Sequence, residues 1–234
     1  MKHLQFLTLN DVNIWEHQLF NGLTESQRAW ISGRVTYKEL TAKSTIYRPD
    51  YPASHVHFIL QGKIVTETVD DQKNWFIREM LSTGDIFGLN GLINLPTYNE
   101  FSRTLRSPTT IVSFLVADLQ KIMEIDFRYA EKVMRVLACR TVRLEKRFTD
   151  FAVLSATARF VRFLTENIEK EGHFEGDDLF YDSEITQEEI GAYIGTGRQT
   201  VTEILAELKS RNILEYNWGK FKVQNINELK KLNS

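Results

Sequence analysis

Arg198, Gln199, Thr202 and Glu203 place a guanidinium, a primary amide, a hydroxyl and a carboxylate within a single short stretch. None of these is a nucleophile set beside a base. They are the groups that pair with base edges: Arg with guanine O6 and N7, Gln with adenine N6 and N7, Glu with cytosine N4. The residues before them show how they would be presented. Thr186 and Glu189 stand at the spacing of a capping box, and Ile185 and Ile190 are placed for a hydrophobic staple across it. Thr196 and Gln199 repeat the T-x-x-Q spacing and predict a second helix start. Gly195 lies between the two starts, where a left-handed turn costs least, and Gly191 has no side chain to hold the second helix away. Ile190, Ile194, Val201, Ile204 and Leu205 are expected in the shared core. This is the spacing of a helix-turn-helix whose second helix enters the DNA major groove. Thr186, Thr196, Thr200 and Lys209 complete the expected DNA-facing set on these helices.

Beyond Lys209, the apolar runs around Asn217-Trp218-Gly219-Lys220 predict a two-stranded wing, with Lys220 and Lys222 available to phosphates. One feature runs against DNA binding. Residues 152–234 carry ten Lys and Arg against fourteen Asp and Glu, a net charge of −4, where a DNA-binding domain is expected to be basic. The acids are concentrated at 166–189, mainly outside the reading helix. Few phosphate contacts should therefore carry the affinity. The alternative is a ligand-binding or interaction module whose helix-turn-helix no longer reads DNA.

Other chemistries find little support. Gly191, Gly195 and Gly197 do not follow a strand, so they are not a dinucleotide fingerprint, and residues 84–91 lack the Lys-Ser/Thr of a phosphate loop. The chain has no G-x-S-x-G or H-E-x-x-H motif. No enzymatic role, cofactor or metal site is expected. One cysteine, Cys139, excludes an intrachain disulfide and a four-Cys iron–sulfur site, and it is most simply a packed small residue. His55 and His57 share one face of a strand beside Ile59, where partly exposed strand histidines explain them better than an axial haem ligand.

Several elements must position the reading helix. Residues 35–117 contain six β-branched or aromatic runs (35–40, 44–47, 55–60, 63–69, 74–80, 109–116) separated by turn signals, which predicts an antiparallel sandwich or barrel. Residues 10–32 have helical character. From Asp118 the period changes: Ala130, Met134, Leu137, Thr141, Leu144, Phe148 and Phe151 form an a/d seam over three heptads. Such a stripe packs either on its own sheet or on the same helix of a second chain. The expected fold is α+β: a β-roll or jelly-roll sensor domain (1–125), a long dimerisation helix (126–152) and a winged helix-turn-helix (153–234). The longest stretch without Asp, Glu, Lys or Arg, residues 86–99, is fourteen residues and contains Pro96, too short to span a bilayer. The first residues, MKHLQFLTLNDVN, lack the roughly 7–15-residue apolar core of a secretory signal. A cytoplasmic protein without membrane contact is expected.

Strand block, seam helix and winged helix-turn-helix in this order resemble the Crp/Fnr family of bacterial transcription regulators. The resemblance is strongest at 186–214 and at the hinge Leu154-Ser155-Ala156-Thr157-Ala158-Arg159. It is echoed by Gly62, Gly84-Asp85 and Phe87-Gly88-Leu89-Asn90-Gly91-Leu92. It implies a homodimer on a palindromic operator in double-stranded DNA, with RNA polymerase as a partner. Members that bind cyclic AMP place a Glu after the first Gly of the G-E-L-G run; here that position is Leu89. Their Arg-Ser phosphate pair falls at Phe101-Ser102, and their Thr-Ser pair on the seam helix falls at Leu144-Glu145. Each lost polar contact removes roughly 1.5–3 kcal/mol, so cyclic AMP is not the expected effector. Gly88, Leu89, Asn90, Asn99, Ser102, Arg103, Thr141 and Leu144 are the candidates to line an effector pocket, with Arg103 or Arg106 able to meet a phosphate under a shifted alignment. The family's Arg, Glu and later Arg readers are met here by Arg198, Gln199 and Glu203, which predicts a different half-site.

Overall fold

The computed structural model describes Trp15 and residues 19–176 and 178–232. They form two compact units, one of the described residues up to 68 together with 78–141, the other of 69–77 together with the described residues from 142 onward.

The first unit is a sandwich of two four-stranded antiparallel sheets. One runs β1 (Val35–Leu40), β8 (Thr109–Leu115), β3 (His55–Gln61), β6 (Ile86–Phe87). The other runs β2 (Thr45–Tyr47), β7 (Phe101–Thr104), β4 (Lys63–Val69), β5 (Trp75–Ser82). The period of two divides the first sheet between two cores. Val56, Phe58, Val112 and Phe114 meet Leu19, Phe20 and Ile31 and the helical residues Leu119, Ile122, Tyr129 and Val133. Ile59 and Ile111 on the opposite face meet Tyr47, Ile64, Leu81, Phe87 and Tyr98 of the sandwich interior.

Eight strands thus stand where six were expected. β6 has two residues and β7 reads Phe-Ser-Arg-Thr, each too short or too polar to show a strand pattern. The helical stretch expected over 10–32 is α1 (Glu25–Ser32), opened by a Thr24–Gln27 capping box. Leu19 to Gly22 form turns instead, and residues 10–14 and 16–18 lie outside the described ones.

Helix α2 (Val116–Ile125) ends at Asp126, which accepts from the Arg128 amide at 3.0 Å, and α3 (Phe127–Val153) follows. The heptad face of α3 is divided. Tyr129, Val133 and Val136 are buried in the first unit and Leu137 packs against that core. Met134, Thr141, Leu144 and Phe148 are exposed, Phe148 to 76%. Leu137 and Phe151 therefore serve their own chain; Phe151 packs on Phe76 within the second unit, at 5.8 Å between centroids.

The second unit continues with α4 (Ala156–Glu171), capped by Ser155, then α5 (Gln187–Ile194) and α6 (Arg198–Ser210), and closes with α7 (Ile226–Lys231). Its sheet has the order β11 (Leu214–Asn217), β12 (Lys220–Val223), β10 (Asp178–Asp182), β9 (His173–Glu175). The two-stranded wing is thus half of a four-stranded sheet. The polar segment around Gly176 is the turn of a further hairpin, whose Tyr181 is buried against Phe221. No helix among the described residues is long and apolar enough to cross a membrane.

Candidate nucleic-acid interface and effector region

The capping box forms as expected: Thr186 Oγ1 accepts from the Glu189 amide at 3.1 Å, and the Thr186 amide donates to Glu189 Oε2 at 2.7 Å. Ile185 and Ile190 are buried at the staple positions. Gly195 adopts φ 70°, ψ 45° after α5. At Gly191 a Cβ would lie 2.8 Å from the Thr196 carbonyl oxygen and 3.3 Å from the Arg198 nitrogen. Glycine is therefore required where the two helices approach.

The second helix start differs from the expectation. The residue capping α6 is Gly197, without a side-chain bond, while the Gln199 amide group donates to Glu203 Oε1 at 3.0 Å. The Thr196 amide instead donates to the Gly191 carbonyl at 2.9 Å, inside the turn.

Arg147 and Arg159 were not foreseen as positioning residues. The Arg147 guanidinium donates to the Tyr193 carbonyl at 2.5 Å and lies 4.1 Å from the centre of its ring. Arg159 Nε donates to the Ile194 carbonyl at 2.7 Å. Both cations satisfy carbonyls at the C-terminal end of α5, where the helix presents unpaired acceptors and negative partial charge. No local pattern points to these contacts, although Arg159 lies in the hinge motif, because the partners lie 46 and 35 residues away.

On α6, Val201, Ile204, Leu205 and Leu208 are buried, while Arg198, Gln199, Thr202, Glu203 and Lys209 are exposed and Thr200 is half-buried. Among the described residues Arg198 has no ion-pair partner, so its fork is available to a base edge. Thr202 Oγ1 is within 3.0 Å of both Gln187 Oε1 and the Arg198 carbonyl oxygen. At the wing, Trp218 and Gly219 both have positive φ, 50° and 95°, as the two-residue hairpin turn requires. This leaves Trp218 95% exposed. The wing lysines have carboxylate partners: Lys220 Nζ is 2.5 Å from Glu175 and Lys222 Nζ is 2.8 Å from Asp178. A phosphate must displace these carboxylates to use either lysine.

The effector candidates separate. Gly88 is left-handed, φ 73°, and precedes the 3-10 turn Leu89–Ile93. Asn90 Nδ2 donates to Asn99 Oδ1 at 3.0 Å. Arg103 is held by Glu67 through two bonds of 2.8 and 3.1 Å. Ser102 is fully buried opposite Thr66, and neither hydroxyl has a partner among the described residues. Thr141 and Leu144 face solvent.

Absent from the expected set is a buried ionic group in the first unit. Arg140 Nε donates to Glu79 Oε1 at 2.9 Å, with a second bond from Nη2 to Oε2. Glu100 accepts from the Tyr47 hydroxyl at 3.0 Å and lies 3.3 Å from Arg78. Burial works against the Arg140 charge, yet Glu79 and Glu100 hold its pKa above the ordinary guanidinium value. A phosphate brought to Arg140 would have to compete with both carboxylates.

His57 is buried rather than partly exposed, and burial, with the charges of His55 and Lys38, pushes its pKa down to about 3. The folded value lies below the ordinary one of about 6.5, so the unfolded chain takes up the proton first. Its stabilising contribution, complete above that ordinary value, is expected to fall as pH drops from about 6.5 toward 3, by up to about 1.4 kcal/mol per pH unit. Urea titrations at successive pH values check this; the same slope in His57→Phe would contradict it.

A family model for the Crp-like helix-turn-helix domain matches residues 158–232, and one for the cyclic nucleotide-binding domain matches residues 37–126. The chain is 22% identical over 188 residues to the cAMP-activated global transcriptional regulator CRP of Pasteurella multocida, covering 79% of this chain and 88% of that one. It is 22% identical over 180 residues to the global nitrogen regulator of Nostoc sp., covering 76% and 81%. Among solved structures, FixK2 from Bradyrhizobium japonicum shares the fold with a TM-score of 0.73 at 21% identity, covering 86% of this chain and 98% of that one.

Proposed function

The chain belongs to the Crp/Fnr family of transcription regulators, and from that premise we propose that it binds a palindromic operator as a homodimer. Residues 1–125 act as sensor, 126–152 as the dimer helix and 153–234 as the DNA reader. The observation that carries this reading is α6, which presents Arg198, Gln199, Thr202 and Glu203 outward while its other face is buried. The exposed Met134, Leu144 and Phe148 support the dimer, since such a stripe is covered by an identical one on a partner helix. Two reading helices then meet half-sites about 34 Å apart. The sensor does not take cyclic AMP: Leu89 has no acceptor for a ribose hydroxyl, and Arg140 is neutralised from within. The protein works in the cytoplasm, with double-stranded DNA and RNA polymerase as partners.

Arg198→Ala is expected to weaken operator binding by about 1–3 kcal/mol and to abolish preference at one G·C pair. Mobility shifts on operator variants check it. A uniform loss across all sequences would assign Arg198 to phosphate.

A second reading, a module that senses without reading DNA, is favoured by the Lys220–Glu175 and Lys222–Asp178 pairs, which neutralise the wing. Binding that does not survive competitor DNA would support it.

A further inference from the structure

The first unit contains a cavity of about 220 Å³ walled by β1, β2, β3 and β8 and by Tyr98. We propose that it is a binding site for a small planar carboxylate, a single unsaturated ring bearing one acid group.

The cavity is smaller than the roughly 300–1,000 Å³ clefts that take drug-sized ligands, which limits the occupant to about one ring. Its floor is aromatic. Tyr47 and Tyr98 stack at 3.8 Å and 13°, and Tyr47 lies 5.7 Å from the His57 ring at 24°. Register explains the placement, because Thr36, Ser113 and His57 are consecutive cross-strand partners on one row of the sheet.

The polar atoms of the floor are already satisfied. The Tyr98 hydroxyl donates to the His55 carbonyl at 2.8 Å, so its 3.3 Å contact with His57 assigns Nε2 as donor. Nδ1 is then the acceptor for the Ser113 hydroxyl at 2.7 Å. An apolar ring can cover this floor without stripping water from an unmet group. On its far side, the Tyr47 hydroxyl is bonded to Glu100, which is paired with Arg78.

The mouth is different. Thr36, Lys38 and Tyr51 are exposed there, and among the described residues their side-chain donors have no hydrogen-bond or ion-pair partner. Among the described residues, Lys38 is the only full charge on the lining and no carboxylate lines the cavity. Its field reaches inward, adding to the lowering that burial imposes on the pKa of both histidines. Donors and one cation above an aromatic floor match an acid group at the rim and its ring below. None of the eight effector candidates from the sequence lines this cavity. Occupancy is a property of the first unit and does not depend on whether α6 reads DNA.

Calorimetry on the full chain tests this with benzoate and with benzyl alcohol, the same ring without the charge. Benzoate is expected to bind saturably below about 10 mM, benzyl alcohol at least about ten-fold more weakly. Lys38→Gln, at an exposed position, should weaken benzoate by about ten-fold, and Thr36→Trp, at the mouth, should abolish its binding. Each variant is first checked for an unchanged thermal transition. The proposal is overturned if benzoate does not bind, if benzyl alcohol binds equally well, or if either substitution leaves benzoate affinity unchanged.

Discussion

Glu79→Ala is expected to lower the unfolding free energy by about 3 kcal/mol, measured by urea denaturation. The carboxylate is nearly buried and chelates the Arg140 guanidinium through both oxygens. Removing it leaves a cation in a low-dielectric site with only part of its compensation, and losing one partner of a buried pair costs about 3–5 kcal/mol. Glu100 is close enough to influence Arg140, which places the loss at the lower end. The paired replacement Glu79→Leu with Arg140→Met should recover most of it, because an apolar pair of similar volume avoids the desolvation of both charges. A single variant as stable as the wild type would mean that the ion pair does not form.

Phe148→Asp is expected to convert the proposed dimer into a monomer and to weaken operator binding by more than about a hundred-fold. In one protomer the ring is 76% exposed, so nothing among the described residues explains an aromatic there. Burying it against a partner is worth about 1.5–3 kcal/mol, and symmetry doubles the term. The substitution also places two carboxylates in an apolar seam. A monomer loses the effective concentration that ties the second half-site to the first, about two to four orders of magnitude of avidity. Sedimentation equilibrium measures the first effect, and a mobility shift the second. The fold of the protomer should be retained, read as an unchanged circular dichroism spectrum, since Phe148 is exposed within it; the thermal midpoint falls only by what dimerisation contributed. A variant that remains dimeric would remove Phe148 from the interface.

The parts of this protein that a reader could take from the sequence are those fixed by neighbours within one or two helical turns. The Thr186–Glu189 box, the turn at Gly195 and the close approach at Gly191 are local and appear as expected. The Thr196–Gln199 spacing is equally local yet misleads, because Gln199 has a competing acceptor one turn on, in Glu203. The outward set on α6 was legible because Val201, Ile204, Leu205 and Leu208 define the opposite face. The wing lysines' carboxylates were not legible: Glu175 and Asp178 flank the turn of a hairpin whose polar residues hid its strands. Arg140 and Glu79 are 61 residues apart, and nothing in either neighbourhood marks them as a pair. The seam was legible as a stripe but not as a division of labour, since only packing shows that Leu137 and Phe151 face their own chain.

Selection of duplexes from a random pool by the purified full-length protein, with each recovered sequence titrated against competitor DNA, tests the central claim most directly. The account predicts an inverted repeat with half-site centres one helical turn apart, bound by two protomers, and a half-site that changes when Arg198 is replaced. Recovery of no preferred sequence, or of a single asymmetric site bound by one protomer, would contradict it.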